Sequence, residues 1–329
     1  MLRRLNIASR PRRNRKSDSI RSLCAETSLS SKNLIQPLFI HDSPHDEEIS
    51  SLPGQKRLSI NGLLRQAELL LESGVPGIAL FPAIKDELKS KDAAECFNSN
   101  GFLPKAIDAL KSRFPEILLV TDIALDPYSS DGHDGLVSSD GRILNDETVE
   151  VLCKQALMQA QAGTDIVAPS DMMDGRVRAI REALDSSGYS EVSIMSYTAK
   201  YASACYGPFR GALNSEPKKG DKKTYQMNPA NSREALRELK LDEAEGADIV
   251  MVKPAGMYLD IIKSFRENSP LPIAAYQVSG EYLMIKSAAN TGWLNEESLI
   301  MESLISIKRS GADIILSYFS EKAAVLLRK

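Results

Sequence analysis

Two lysines carry the most chemistry in this chain. Lys253 closes the strand-like part of DIVMVKPAG (Asp248 to Gly256), where Ile249 to Val252 form a short apolar run that meets the lysine and then a proline. An ammonium held against an apolar wall loses hydration, so its pKa falls from about 10.4 towards neutrality. The amine then becomes a nucleophile able to form a Schiff base with a carbonyl substrate. A lysine snorkelling from a strand end to water, or pairing with a carboxylate, is the plainer reading of the same stretch. Lys200 stands just beyond the preceding strand candidate. If both amines face one pore, each disfavours the other's protonation and at least one can be neutral near pH 7. One such lysine suits an ordinary Schiff-base aldolase. A pair suits two carbonyl substrates, each captured as an imine and oriented for joining.

The elements that must position these amines repeat along the chain. Leu63, Leu64, Ala67, Leu70 and Leu71 recur at helical spacing, stop at Gly74, and give way to the apolar run GIALF at Gly77 to Phe81. The same order returns in AGTDIVAPS, EGADIVMVK and SGADIILSY, which end at Ser170, Lys253 and Tyr318. Each reads as helix, glycine cap, acidic turn, apolar strand and polar tip. Leu34 to Ile40, Ile117 to Thr121, Val192 to Met195 and Ile273 to Tyr276 complete a set of eight strand candidates. Pro37 argues against the first of them as an interior strand. Eight αβ units predict a (β/α)₈ barrel; an open doubly wound sheet would call for a Gly-rich phosphate turn after the first strand, and none is present. In such a barrel the chemistry collects at the C-terminal strand ends. Asp122, Ser170, Asp171, Tyr197, Lys200, Lys253, Tyr276, Gln277, Ser279 and Tyr318 all fall there.

The composition fits a sizeable core: 329 residues, 43% of them hydrophobic, with a net charge of −3 that gives no global reason for a polyanion partner. The charge is uneven, because Arg3, Arg4, Arg10, Arg12, Arg13, Arg15, Lys16 and Arg21 crowd the start. Such an arm resembles an organelle transit peptide and also a nucleic-acid-binding arm. No apolar run reaches the roughly 18 residues of a membrane span and no signal-peptide core is visible, so a cytoplasmic protein is the default expectation. Cys24, Cys96, Cys153 and Cys205 are too scattered for paired metal-ligand spacing. His41 and His45, among acidic residues, read as a solvated loop and not as a metal cluster. The stretch Cys205 to Pro229, rich in Gly, Pro and Lys, has no sustained periodicity and reads as a lid; its Arg210, Lys218, Lys219, Lys222 and Lys223 suit substrates bearing carboxylates, although a solvated loop is the alternative.

The segments RPRRNR, SYTAKYASACYGPFR, TYQMNPAN, GADIVMVKPAG, YQVSGEY and ILSYF closely resemble the 5-aminolevulinic acid dehydratase (porphobilinogen synthase) family, from the basic arm to the final helix. The resemblance implies a (β/α)₈ barrel at 34–329 behind an extended arm at 1–33, with the lid at about 205–229. It also implies the condensation of two 5-aminolevulinate molecules to porphobilinogen with loss of two waters. On that basis Lys253 corresponds to the Schiff-base lysine of the first substrate and Lys200 to that of the second. Ser279, Tyr318 and Tyr276 correspond to groups around the first carboxylate, and Arg210, Lys222 and Gln226 to lid groups around the second. Asp122, Ser170, Asp126 and Asp134 would surround the second amine. Zinc-dependent relatives have three cysteines where this chain has Ala124, Asp126 and Asp134, so catalytic Zn²⁺ is not expected. Asp131 and His133, nearby, leave a weak metal site open beside solvated-loop and amine-contact readings. Glu238 matches a carboxylate that holds a regulatory Mg²⁺, although Glu234, Arg237, Lys240 and Asp242 make it equally an ordinary charged helix face. The resemblance further implies homo-octamers built from arm-exchanging dimers, with no nucleic-acid or membrane partner.

Two rivals are set aside only by experiment. A one-lysine class I aldolase would leave Lys200 a mere electrostatic neighbour and would expect phosphate-binding turns after the late strands. A scaffold binding RNA or DNA through its arm would show steeply salt-dependent binding.

Overall fold

The computed structural model of the protein describes residues 7–328; Arg3 and Arg4 of the basic arm lie outside them. Eight parallel strands form the body of the fold: β1 Leu34–His41, β2 Gly77–Ala83, β3 Leu118–Ile123, β4 Ile166–Pro169, β5 Ser193–Lys200, β6 Ile249–Lys253, β7 Ile273–Gln277 and β8 Ile314–Ser317. They follow one another in sequence order, and β8 returns to β1 with Leu34 opposite Ile315 and Ile35 opposite Leu316. The sheet is therefore closed, as in a (β/α)₈ barrel. The surrounding helices are α1 Ile60–Ser73, α2 Phe102–Arg113, α3 Asn145–Ala162, α4 Arg176–Ser186, α5 Arg233–Glu245, α6 Leu259–Asn268, α7 Glu296–Ser310 and α8 Ser320–Leu326, with an extra helix, Ser279–Asn290, between β7 and α7.

The repeated acidic turn has a definite mechanical task. Asp165, Asp248 and Asp313 each precede a strand, and each accepts a hydrogen bond from a backbone N–H at the start of the neighbouring strand: Leu119 at 2.7 Å, Ile194 at 2.7 Å and Ile273 at 3.0 Å. The same aspartates donate their own N–H groups to the carbonyls of Leu119, Ile194 and Ile273. Pairs of strands are thus pinned at the bottom of the barrel, where such groups serve stability and not catalysis. The glycine before this turn is required where α5 ends: Gly246 has φ +98°, a left-handed cap that returns its N–H to the carbonyls of Asp242 and Glu243.

Two strands depart from the sequence expectation. β1 runs through Pro37 because its edge changes partner there. It pairs with β8 at Leu34 and Ile35 and with Arg57 and Leu58 at Phe39 and Ile40, so neither partner demands a hydrogen bond at Pro37. β5 runs on past Met195 to Lys200, although Ser196 and Thr198 break its apolar pattern, because both side chains are buried and bonded. Lys200 is therefore the last residue of its strand, as Lys253 is of β6. The arm contributes a short helix, Asp18–Leu23, none of whose residues is buried.

Candidate active site at the mouth of the barrel

β5 and β6 bring the two lysines together: in their parallel register, Lys253 is the direct partner of Lys200. Both amines approach the ring of Tyr197, Lys253 Nζ at 5.0 Å from its centroid and Lys200 Nζ at 5.9 Å. Both line one cavity with Asp122, Asp126, Ser170, Arg210, Lys222 and Gln226. These eight groups, drawn from strand tips, the loop after β3 and the lid, thus surround a single space.

The surroundings of the two amines differ. Lys253 Nζ has rings on several sides, with the centroids of Tyr276, Phe209 and Tyr206 at 4.4, 4.9 and 5.4 Å. Ring faces attract a cation, but they also exclude the water that a primary ammonium needs. Burial, followed by the positive charge of Lys200, brings the Lys253 pKa down to about 7, against the opposing pull of Asp122, Asp126 and Asp134. Lys200 instead donates to Asp134 Oδ2 at 2.9 Å and to the Ser170 carbonyl. Lys222, carried by the lid, reaches Asp134 Oδ1 at 2.5 Å and Asp126 Oδ2 at 3.3 Å. Burial alone would raise the Asp134 carboxyl, yet the ammonium groups of Lys200 and Lys222 overcome it and hold that carboxyl well below the usual range. Asp122 goes the other way. Burial pushes it up to about 7 despite Lys200 and Lys253, and its Oδ1 has no hydrogen-bond partner. The cavity thus holds, near neutral pH, an amine that can be a nucleophile and a carboxyl that can give or take a proton.

The lid is closed over this space. It contains a helix, Gly207–Leu213, which the absence of periodicity in a seven-residue span had hidden. Arg57 clamps that helix by donating from Nε to the Ala212 carbonyl at 2.6 Å and from a terminal nitrogen to Gly211 at 2.9 Å. Ser279 and Tyr318 do not line the cavity. Ser279 Oγ accepts from the Phe209 N–H at 3.1 Å and donates to the Cys205 carbonyl at 3.3 Å, seating the lid, while Tyr318 and Tyr276 join hydroxyls at 3.3 Å. The cavity is tight, about 30 Å³, room for a water or two. Entry of any organic substrate therefore requires the lid to move. Phe209 and Tyr206 escaped the sequence reading; their one signal was adjacency to Arg210 in a stretch already suspected of covering the site.

Glu238 lies elsewhere. On α5 it lines a separate cavity of about 560 Å³ with Asp174 and Glu234, and burial, together with the charges of Asp242, Asp174 and Glu234, raises its pKa against Arg176. Among the described residues, no group of three or more His, Cys, Asp and Glu is placed to hold a metal, and the four cysteines are free.

The sequence model of the family described as Delta-aminolevulinic acid dehydratase matches residues 8–326. The chain belongs to the delta-aminolevulinic acid dehydratase family. It is 57% identical to the enzyme named delta-aminolevulinic acid dehydratase, chloroplastic, of Physcomitrium patens, over 97% of this chain and 74% of that one. The Glycine max protein of the same name is 58% identical over 97% of this chain and 78% of its own. Among solved structures, the delta-aminolevulinic acid dehydratase (porphobilinogen synthase) of Toxoplasma gondii ME49, in complex with the reaction product porphobilinogen, is 52% identical with a TM-score of 0.97, covering 98% of this chain and 92% of that one. The protein is accordingly a hydro-lyase that condenses two 5-aminolevulinate molecules to porphobilinogen, in tetrapyrrole synthesis.

Proposed function

We propose that Lys253 captures the first substrate and Lys200 the second. The observation that carries this is the direct pairing of the two lysines across adjacent strands at one cavity, with Lys200 but not Lys253 bonded to a carboxylate. The neutral Lys253 amine attacks the ketone carbon of 5-aminolevulinate, and the carbinolamine loses water to give an imine. Lys200, once it has passed its proton to a neighbouring base, does the same with the second molecule. Carbon–carbon and carbon–nitrogen bonds between the two substrates then close the ring, both lysines are returned as amines, and two waters have left overall. Asp122, protonated up to about pH 7, gives a proton to the oxygen that leaves as the second imine forms on Lys200 and later takes one from carbon.

Ser279, Tyr318 and Tyr276 hold the carboxylate of the first substrate once the lid is rearranged. Arg210, Lys222 and Gln226 hold that of the second, and Asp122, Asp126, Asp134 and Ser170 surround the second amine. Residues 1–33 form the arm, 34–329 the catalytic barrel and about 205–229 its lid. Catalytic Zn²⁺ does not fit these residues, because no thiolate is present and the carboxylates of Asp126 and Asp134 are engaged by lysine ammonium groups. Enzymes of this family depend on metal in general. Glu238 alone supplies the single carboxylate that a Mg²⁺ keeping most of its waters needs, and such an ion when bound would offset the charge Asp174 and Glu234 bring to the same cavity, away from the chemistry. The exposed arm, with Leu23 86% accessible, suits docking on a second copy and so assembly into octamers from arm-exchanging dimers. No helix of the described residues is long and apolar enough to cross a membrane. The names of the plant relatives favour a plastid over the cytoplasmic location expected from the sequence.

Borohydride reduction in the presence of 5-aminolevulinate tests the division of labour. In a Lys200→Ala protein, label should still attach at Lys253 while porphobilinogen formation is lost. Retained pyrrole formation in that variant would remove Lys200 from the mechanism.

A further inference from the structure

His133 is 6% exposed, sits in the loop after β3, and has no part in the chemistry above. Both of its ring nitrogens are engaged by the lid. Nε2 lies 2.9 Å from the Lys219 carbonyl oxygen, and Nδ1 lies 3.1 Å from the Tyr225 hydroxyl. A carbonyl oxygen only accepts, so Nε2 carries the hydrogen, and in the neutral ring Nδ1 is left to accept from Tyr225. The Tyr225 oxygen in turn accepts from the backbone N–H of Asp134 at 3.3 Å. Every donor then has an acceptor: Asp134 N–H to Tyr225, Tyr225 O–H to His133, and His133 Nε2–H to Lys219.

This chain of bonds begins at the residue whose carboxylate holds both Lys200 and Lys222. The loop and the lid also meet through backbone alone. Lys218 N–H donates to the Asp131 carbonyl at 3.1 Å, and a Cβ on Gly132, whose φ is +72°, would stand 2.2 Å from the Glu216 carbonyl oxygen. Only glycine allows that approach.

We propose that His133 and Tyr225 form a latch that keeps the lid closed on the β3 loop and fixes the Asp134 carboxylate between Lys200 and Lys222. Both are positioning residues: they touch neither reacting amine and act through Asp134 and the lid backbone. The proposal rests on the assignment of Lys200 to the second substrate, and its test separates the two ideas.

The test compares His133→Ala, His133→Gln, Tyr225→Phe and the His133→Ala/Tyr225→Phe double variant in the full-length assembled enzyme. Three measurements are made on each: the rate of native tryptic cleavage within Lys218 to Lys223, KM and kcat for 5-aminolevulinate, and borohydride labelling at Lys253. Loss of either partner should speed lid cleavage by about ten-fold or more, as expected when one or two hydrogen bonds of a closed state are removed. KM should rise and kcat fall, while Lys253 is still labelled. His133→Gln, which can return an N–H to the Lys219 carbonyl, should recover part of the protection. The double variant should be little worse than the more affected single one, because the two residues act in series. Tyr225→Phe, nearly unchanged in volume, keeps the test valid if His133→Ala folds poorly. The latch is overturned if Tyr225→Phe leaves lid cleavage and KM within about two-fold of the parent. It is equally overturned if lid cleavage rises only in step with a fall in the urea midpoint, the mark of general destabilisation. Failure to label Lys253 in the parent would sink the catalytic assignment and leave the cleavage result to judge the latch alone.

Discussion

Replacing Lys253 by methionine should destroy catalysis and stabilise the fold, with a gain that depends on pH in a calculable way. Methionine keeps an unbranched chain of similar reach among Tyr197, Tyr206, Phe209 and Tyr276 but carries no charge. The lysine pKa falls from 10.5 to about 7 on folding, and at about 1.4 kcal/mol per unit this is a ceiling of about 5 kcal/mol. The sign follows from proton binding. Below pH 7 the amine is charged in both the folded and unfolded chains, so the folded protein bears the whole cost of burying the ammonium. Between 7 and 10.5 the unfolded chain holds a proton that the folded one has released, and stability rises with pH through that window. Lys253→Met should therefore exceed the parent by several kcal/mol at pH 6 and by only about 2 kcal/mol at pH 9. Urea unfolding of both proteins at the two pH values, at matched protein concentration, reads this as a midpoint difference that shrinks as pH rises. A variant less stable than the parent at pH 6, or a gain independent of pH, would show that the folded protein does not bury a costly ammonium there and would refute the account of how the nucleophile is made.

Asp122→Asn copies the shape of the protonated carboxyl without its proton chemistry. Labelling at Lys253 should change little, while porphobilinogen formation falls by about 10²–10⁴-fold; steady-state turnover beside borohydride trapping distinguishes the two steps. In the parent, the rate of first-imine formation should drop about ten-fold per unit below about pH 7 as Lys253 gains its proton, with the apparent value shared by the interacting groups. Chelation by EDTA should lower activity in part, Mg²⁺ should restore it, and Zn²⁺ should be unnecessary; Glu238→Gln should abolish the Mg²⁺ response while leaving chelated activity intact. Rescue by Zn²⁺ alone would overturn the reading of Ala124, Asp126 and Asp134.

The barrel was legible because most of its strands are apolar runs of the expected length, and three of them, β4, β6 and β8, are entered through the same glycine and aspartate. What those aspartates do was not legible, since the N–H groups they receive belong to neighbouring strands far away in sequence. β5 was cut short because Ser196 and Thr198 look like loop residues until their partners are known. Of the eight proposed site residues that line one cavity, Asp122, Ser170, Lys200 and Lys253 meet because strand tips converge by geometry, while Arg210, Lys222 and Gln226 are brought there by the lid and Asp126 by the loop after β3. The charge pattern within that cavity was hidden: Asp134 joins Lys200 and Lys222 across separations of 66 and 88 residues, and only their meeting decides that Lys200 is paired while Lys253 is not. Ser279 and Tyr318 stand at the barrel mouth but outside the cavity, because the closed lid turns Ser279 towards the backbone of Phe209 and Cys205. A short helix beginning at Gly207 and Pro208 gave the sequence too few turns to declare its periodicity, so Phe209 passed unnoticed.

The central claim, that a desolvated amine on β6 opens the reaction, is tested most directly by reducing the protein with borohydride in the presence of 5-aminolevulinate and mapping the labelled peptide. The account predicts one dominant covalent adduct at Lys253, formed faster as pH rises through 7, with neither adduct nor porphobilinogen in Lys253→Ala. A Lys253→Ala protein that still makes porphobilinogen at the parent rate would contradict it.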